Sequence, residues 1–249
     1  MAESKPWHEY EAFWRAWRDW GFNEELLDEA GPEVEQIAVL AGVEAGARVL
    51  DAACGFGRHS VAFAQRGFQV TGVDRVASYL DEARERVQAE GLDAEFILSD
   101  LRTFQSPDPF DLAVNCMTAF GYFEDQADNV RVMQTLCDAL KPGGALVMDL
   151  MGKEVLARVF QVRDWTERNG VFLLQERKVE RGWSWMNDRW LYITPDGQHE
   201  FPVCLWLYSA QELTDMARGV GFSEATAYGD FEGNPYDHEA KRLVMVARK

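Results

Sequence analysis

The chain has no run of 18 uncharged apolar residues, and its opening segment, MAESKPWHEY, lacks the apolar stretch that precedes a secretory cleavage site. Both absences argue against a membrane span or an export signal, so a cytoplasmic setting is the expectation. Cysteine is sparse: Cys54, Cys116, Cys137 and Cys204 show no CxxC spacing, which speaks against a metal cluster or a disulfide framework. Each reads as a small buried hydrophobe. Positive charge is short as well, with 25 Lys and Arg against 42 Asp and Glu and a net charge of −17. A polyanion such as tRNA or DNA would meet long-range repulsion and release few counterions, so nucleic acid is disfavoured and a small molecule favoured. The four histidines, His8, His59, His199 and His238, stand apart from one another, and no catalytic base and no metal ligand is assigned among them. Repeats and low-complexity linkers are missing too, and 249 residues suit one α/β domain with elaborations.

What is present is organised around residues 48–60, RVLDAACGFGRHS. A short apolar run ends at Asp51, the pair Gly55 and Gly57 follows, and Val61, Ala62 and Ala64 begin a helical pattern. A strand, a glycine turn and a helix start in that order bring backbone N–H groups to a ligand at the carboxyl end of a sheet. A dinucleotide site would want a third glycine where Ser60 stands. Asp51 would be repelled by a pyrophosphate, whereas a ligand bearing an ammonium or sulfonium group would be attracted. Further along, Asp74 closes a second strand, 23 residues after Asp51, near the spacing at which an acid reaches ribose hydroxyls.

VLDAACGFGRHS resembles motif I of the class I S-adenosylmethionine-dependent methyltransferases, usually close to VLDxGCGxG, with Ala53 where many members have glycine. The resemblance implies that Asp51, Gly55 and Gly57 hold the methionine end of the cofactor and that Asp74 serves the ribose; Arg75 is counted among the cofactor-binding residues. Asp100 and Leu101, at a third strand end, would take the adenine amino group and ring. Arg58 is expected to reach the cofactor carboxylate with its fork. The fourth strand runs into CMTAFGYFED, where Asn115 and Cys116 are expected to line the cofactor and Phe120 and Tyr122 the substrate. For Tyr122 simple packing stays open. LKPGG, starting at Leu140, resembles the signature that follows the family's core.

Trp7, Tyr10, Phe13, Trp14, Trp17 and Trp20 recur every three or four residues, as one stripe of a helix. Such a leading helix closes over the cofactor in the family, and Tyr10 is held as either a substrate contact or a core residue. A second helix is expected over 32–41, and the helix that follows the CMTAFGYFED segment is expected to bury Val130, Met133, Leu136 and Leu140. From 163 to 208 aromatic and β-branched residues predict a small antiparallel sheet, a roof for the site or the surface of a homodimer. Asp188 and Arg189 are candidates for polar substrate contacts or a surface ion pair. Ser209 to Glu212 forms a capping box, and a final strand pair closes the chain.

The expected fold is therefore α/β, a Rossmann-like, doubly wound, mostly parallel seven-stranded sheet with an N-terminal helical lid and a β insertion after strand 5. Residues 1–47 form the lid, 48–150 the cofactor-binding core, 163–208 the insertion and 209–249 the closing helix and hairpin, all one domain. The resemblance extends to bacterial sugar and antibiotic N-methyltransferases. It implies methyl transfer from S-adenosylmethionine to nitrogen or oxygen of a small molecule, leaving S-adenosylhomocysteine. The alternative is a non-catalytic S-adenosylmethionine-binding sensor or subunit.

Overall fold

A computed structural model describes residues 5–22 and 24–249. A 3-10 turn at Trp7–Glu9, α1 (Glu11–Gly21) and α2 (Glu24–Ala41) precede an alternating core. The core runs β1 (Arg48–Ala52), α3 (Arg58–Gln65), β2 (Gln69–Asp74), α4 (Ala77–Ala89), β3 (Ala94–Leu98), β4 (Phe110–Asn115), α5 (Gln126–Asp138), β5 (Leu140–Leu150) and α6 (Lys153–Val159). Four consecutive strands follow, β6 (Arg163–Arg168), β7 (Val171–Glu180), β8 (Trp185–Thr194) and β9 (Gly197–Trp206), then α7 (Ala210–Gly219), β10 (Glu224–Tyr228) and β11 (Leu243–Arg248).

The large sheet has the order β10-β11-β5-β4-β1-β2-β3. β1 to β5 are mutually parallel, and β11 lies antiparallel between β5 and β10. Because parallel strands are joined by helices on both faces, alternate side chains of one strand enter different cores. Ala113, Leu146 and Met148 pack with α5 and α7 residues, whereas Leu112, Val114, Ala145 and Val147 pack with Val34, Ile37 and Phe63. The chain leaves β1 toward β2 on one side and meets β4 on the other, which makes the tip of β1 the switch point where a ligand crevice opens. The smaller sheet, β6-β7-β8-β9, is antiparallel, and its Leu173, Tyr192, Phe201, Val203 and Leu205 share a third core with Trp7 and Phe13 of the lid.

The seven-stranded sheet, the lid, the insertion and the Ser209 capping box are as expected. Four local readings are corrected. The aromatic stripe is broken at Tyr10, whose extended backbone separates the 3-10 turn from α1. α2 begins before Pro32, since Ala30, Val34, Ile37 and Ala41 form one buried stripe whose packing outweighs the missing proline N–H. Val130 faces solvent on α5, and Val132, Met133, Leu136 and Cys137 are the buried ones. The insertion has an extra strand, β6, whose RDWTER lacks alternation because it is a charged edge strand.

Gly72 on β2 tests how tightly this layer is packed. A Cβ there would stand 2.7 Å from Phe96 Cδ1 and 2.9 Å from Cys54 Sγ. Gly72→Ala is expected to lower stability by about 1–3 kcal/mol in urea unfolding, with an unchanged slope, through overpacking.

Candidate active site

After β1 the backbone turns sharply, with Ala53 at φ 60°, Gly55 at 55° and Gly57 at 76°. The left-handed geometry at Ala53 explains why glycine is common at that place in the motif. Asp51 at the strand end is 2% exposed, and its Oδ2 accepts the Ser60 hydroxyl at 2.6 Å. Asp74 at the tip of β2 accepts the Gly55 N–H through Oδ2 and the Val76 N–H through Oδ1, each at 2.9 Å. Burial pushes both carboxyls above their usual range, against the hydrogen bonds that favour the ionised forms. Asp100, after β3, differs. The Arg102 side chain forks onto it at 2.7–3.2 Å, reaches Asp128 at 2.9 Å and lies 4.4 Å from the Phe123 ring. That guanidinium holds the Asp100 carboxyl below the usual carboxylate range.

All three acids border one cavity of about 520 Å³, which continues between lid and insertion. Gly55, Arg58, Arg75, Leu101, Cys116, Phe120 and Tyr122 also line it. Gly57 and Asn115, expected at the cofactor, are not in its wall, and Tyr10 takes the core alternative, packed against the cluster shared by lid and insertion. Gly57 caps α3 at a point where a Cβ would come within 2.9 Å of Ala83. Asn115 is fully buried behind the wall and donates its amide N–H to the Ala52 carbonyl at 2.9 Å, joining β4 to β1. Tyr10 uses its carbonyl to start α1, accepting the Phe13 N–H at 3.0 Å. Arg58 is in the wall, but its fork is occupied: one nitrogen donates to Glu33 at 2.6 Å and the other to the Leu26 carbonyl at 3.0 Å. His59 meets the same Glu33 oxygen at 2.8 Å, and the two partners hold that carboxyl low against its burial.

Two further wall residues, His8 and Tyr79, were not assigned to the site from the sequence. His8 is 4% exposed, and Arg75 donates to its Nδ1 at 2.6 Å, which fixes a neutral ring with the proton on Nε2. Burial and the neighbouring Arg75 depress its pKa to about 4. Tyr79 donates its hydroxyl to the Trp14 carbonyl, and Trp7 donates to the Cys204 carbonyl of β9 at 2.7 Å, so the lid touches both core and insertion. Asp188 points inward, accepting from Gln175 at 3.1 Å and lying 3.3 Å from Arg177 Nε, whereas Arg189 faces outward and forks onto Glu200. Strand alternation carries the signal for that split. No group of residues suited to a metal occurs among those described.

The reversed last strand, the glycine turn after β1 and the acids at successive strand ends belong to a fold that the chain shares with solved S-adenosylmethionine-dependent methyltransferases. Residues 49–144 match a methyltransferase domain family. The YqeM protein of Bacillus subtilis is 25% identical over 246 residues, covering 91% of this chain and 94% of its own. Ubiquinone biosynthesis O-methyltransferases also match; this chain spans 50% of the length of the one from Stutzerimonas stutzeri, at 33% identity over 120 residues. Among solved structures, an S-adenosylmethionine-dependent methyltransferase from Clostridium acetobutylicum aligns at TM-score 0.77 and 16% identity, over 96% of this chain and 98% of that one.

The buried His8 makes a pH prediction. Its folded pKa of about 4 lies below the ordinary 6.5, so the unfolded chain binds the extra proton first and this contribution to stability falls as pH drops from 6.5 toward 4. Denaturant unfolding across that window is expected to show a shallower acid-side loss for His8→Gln than for the native chain.

Proposed function

We propose that the protein transfers a methyl group from S-adenosylmethionine to nitrogen or oxygen of a small molecule. The observation that supports this best is the continuity of the cavity from the strand-tip acids to the aromatic and polar walls of lid and insertion. A binding protein without catalysis has no need of that second half.

Asp51 and Asp74 are buried without an ion pair of their own among the described residues. A cofactor carrying ammonium and sulfonium groups offsets that buried charge, which is the sense in which the residues fit it. In our reading Asp74 holds the ribose hydroxyls, Asp100 and Leu101 the adenine, and Asp51 and Gly55 the methionine end. Arg75, held against His8, borders the ribose side, and Cys116 borders the reacting end. For Arg58 to take the cofactor carboxylate it must give up Glu33, so we assign it to shaping the glycine turn.

Bound there, the cofactor supplies an activated methyl on sulfur. The protein then needs mainly to align an acceptor and exclude water, and alignment alone supplies about 7–11 kcal/mol in favourable cases. In this reading Phe120 and Tyr122 face the acceptor from the loop after β4, in a wall that Met186 and Trp190 of the insertion share. Trp14 and Phe13 of the lid keep water out. Burial and the nearby Asp74 raise the Tyr122 hydroxyl above its usual pKa, which keeps it neutral and able to donate. His8, neutral but tied to Arg75, is not a base in this scheme.

Calorimetry with S-adenosylhomocysteine tests the cofactor half. The native chain should bind it, and Asp74→Ala should weaken binding by about 1.5–3 kcal/mol, the scale of a hydrogen bond to a charged group. Absence of binding by the native chain overturns the reading, and an unchanged affinity in the variant removes Asp74 from the ribose.

A further inference from the structure

The wall formed by the loop after β4 is built on a conformation that L residues rarely adopt. Met117 and Thr118 are consecutive non-glycine residues at φ 60° and 59°. Both border the cavity just before Phe120 and Tyr122. Such a turn persists only if its surroundings hold it.

The holding is done by two residues outside the cavity wall, Asp149 on β5 and Arg242 just before β11. Asp149 is 5% exposed. Its Oδ2 accepts the Met117 N–H at 3.0 Å, and its backbone carbonyl accepts the Thr118 N–H at 2.9 Å. Arg242 forks onto that carboxylate at 2.6 and 2.7 Å and also donates to the Thr118 hydroxyl oxygen at 3.2 Å. The Met151 N–H donates to the same oxygen at 3.0 Å. The sheet brings the pair together, since Val244 of β11 is in register with Asp149 of β5. Further along, the loop is tied to the insertion, where the Gly121 carbonyl accepts the Trp206 N–H at 2.8 Å.

We propose that Asp149 and Arg242 are positioning residues that hold the acceptor-side wall of the cavity, acting through the strained turn at 117 and 118. The assignment to the acceptor side rests on the methyl-transfer reading. The cofactor is assigned to the tips of β1, β2 and β3, whereas this turn follows β4, in the loop that is bonded to the insertion through Gly121 and Trp206. Loss of the clamp therefore frees the acceptor wall and leaves the cofactor cradle intact. The carboxylate matters for its two roles at once: it accepts from the turn and fixes the guanidinium that supports Thr118.

The test uses the full chain and needs no acceptor. Hydrogen exchange read by mass spectrometry should show peptides over 116–123 exchanging at least tenfold faster in Arg242→Met and Asp149→Asn. Calorimetric affinity for S-adenosylhomocysteine should stay within threefold of the native value. Arg242→Lys, which keeps the charge and part of the bonding, should fall between and serves if Arg242→Met does not fold. Met117→Asn in the Arg242→Met background should recover much of the protection, because asparagine tolerates the left-handed region; general loosening would not be rescued this way. Native exchange rates in both clamp variants, or no rescue, overturn the proposal. A tenfold loss of S-adenosylhomocysteine affinity in the variants overturns the acceptor-side assignment. Failure of the native chain to bind S-adenosylhomocysteine counts against the methyl-transfer reading instead, and the exchange result still decides whether the clamp exists.

Discussion

One carboxylate joins the parts that the rest depends on. Asp74 accepts from Gly55 in the turn after β1 and from Val76 at the start of α4, so two successive strand-to-helix corners are tied to a single buried acid. Its burial carries an electrostatic penalty that backbone N–H groups only partly offset, as its raised pKa reports. The glycine turn, the start of α4 and the mouth of the cavity are thus set by one set of bonds.

The sheet tips were legible because their signals are local. An apolar run ending in an acid, a glycine pair and a helical pattern are each read over a few residues, and the core strands Arg48–Ala52 and Gln69–Asp74 fall where those signals place them. The capping box at Ser209 and Glu212 is equally local and is formed by both reciprocal bonds. The errors concern residues whose role is decided by partners far along the chain. Arg58 is claimed by Glu33, 25 residues earlier, and Asn115 by Ala52, 63 residues earlier. Tyr10 has the right spacing for the aromatic stripe, yet its carbonyl is needed to begin α1, and the resulting break turns Trp7 and His8 toward the cavity instead. Periodicity alone does not show such a break, because a 3-10 turn followed by an α-helix preserves much of the spacing.

The lid and the insertion lie on either side of the core in sequence but close the same cavity. Their contact is largely aromatic: Phe13 meets Trp190 at 5.8 Å and Phe201 at 5.5 Å, and Trp17 meets Trp190 at 5.6 Å. Edge and tilted ring pairs of this kind bury large apolar area while orienting the rings. The arrangement also explains the inward side of β8, where Asp188 is matched by Arg177 and Gln175 and so adds polarity to an apolar wall without an unpaired charge.

The acids at the strand tips are not equivalent, and the difference bears on what they can recognise. Asp100 is already compensated by Arg102, which also spans to Asp128, so little negative charge is left to attract a cation at the β3 end. An uncharged ring amine, which needs only a hydrogen-bond acceptor, suits such a site. At β1 and β2 the acids have hydroxyl and backbone donors in place of a guanidinium, and burial raises both pKa values. Charge brought by a ligand relieves that penalty most at this end. Along the three acidic strand tips the compensation therefore runs from an arginine fork at β3 to hydroxyl and backbone donors at β1 and β2, and in the proposed reading a nucleoside with a neutral base at one end and a cationic tail at the other matches that gradient in one direction.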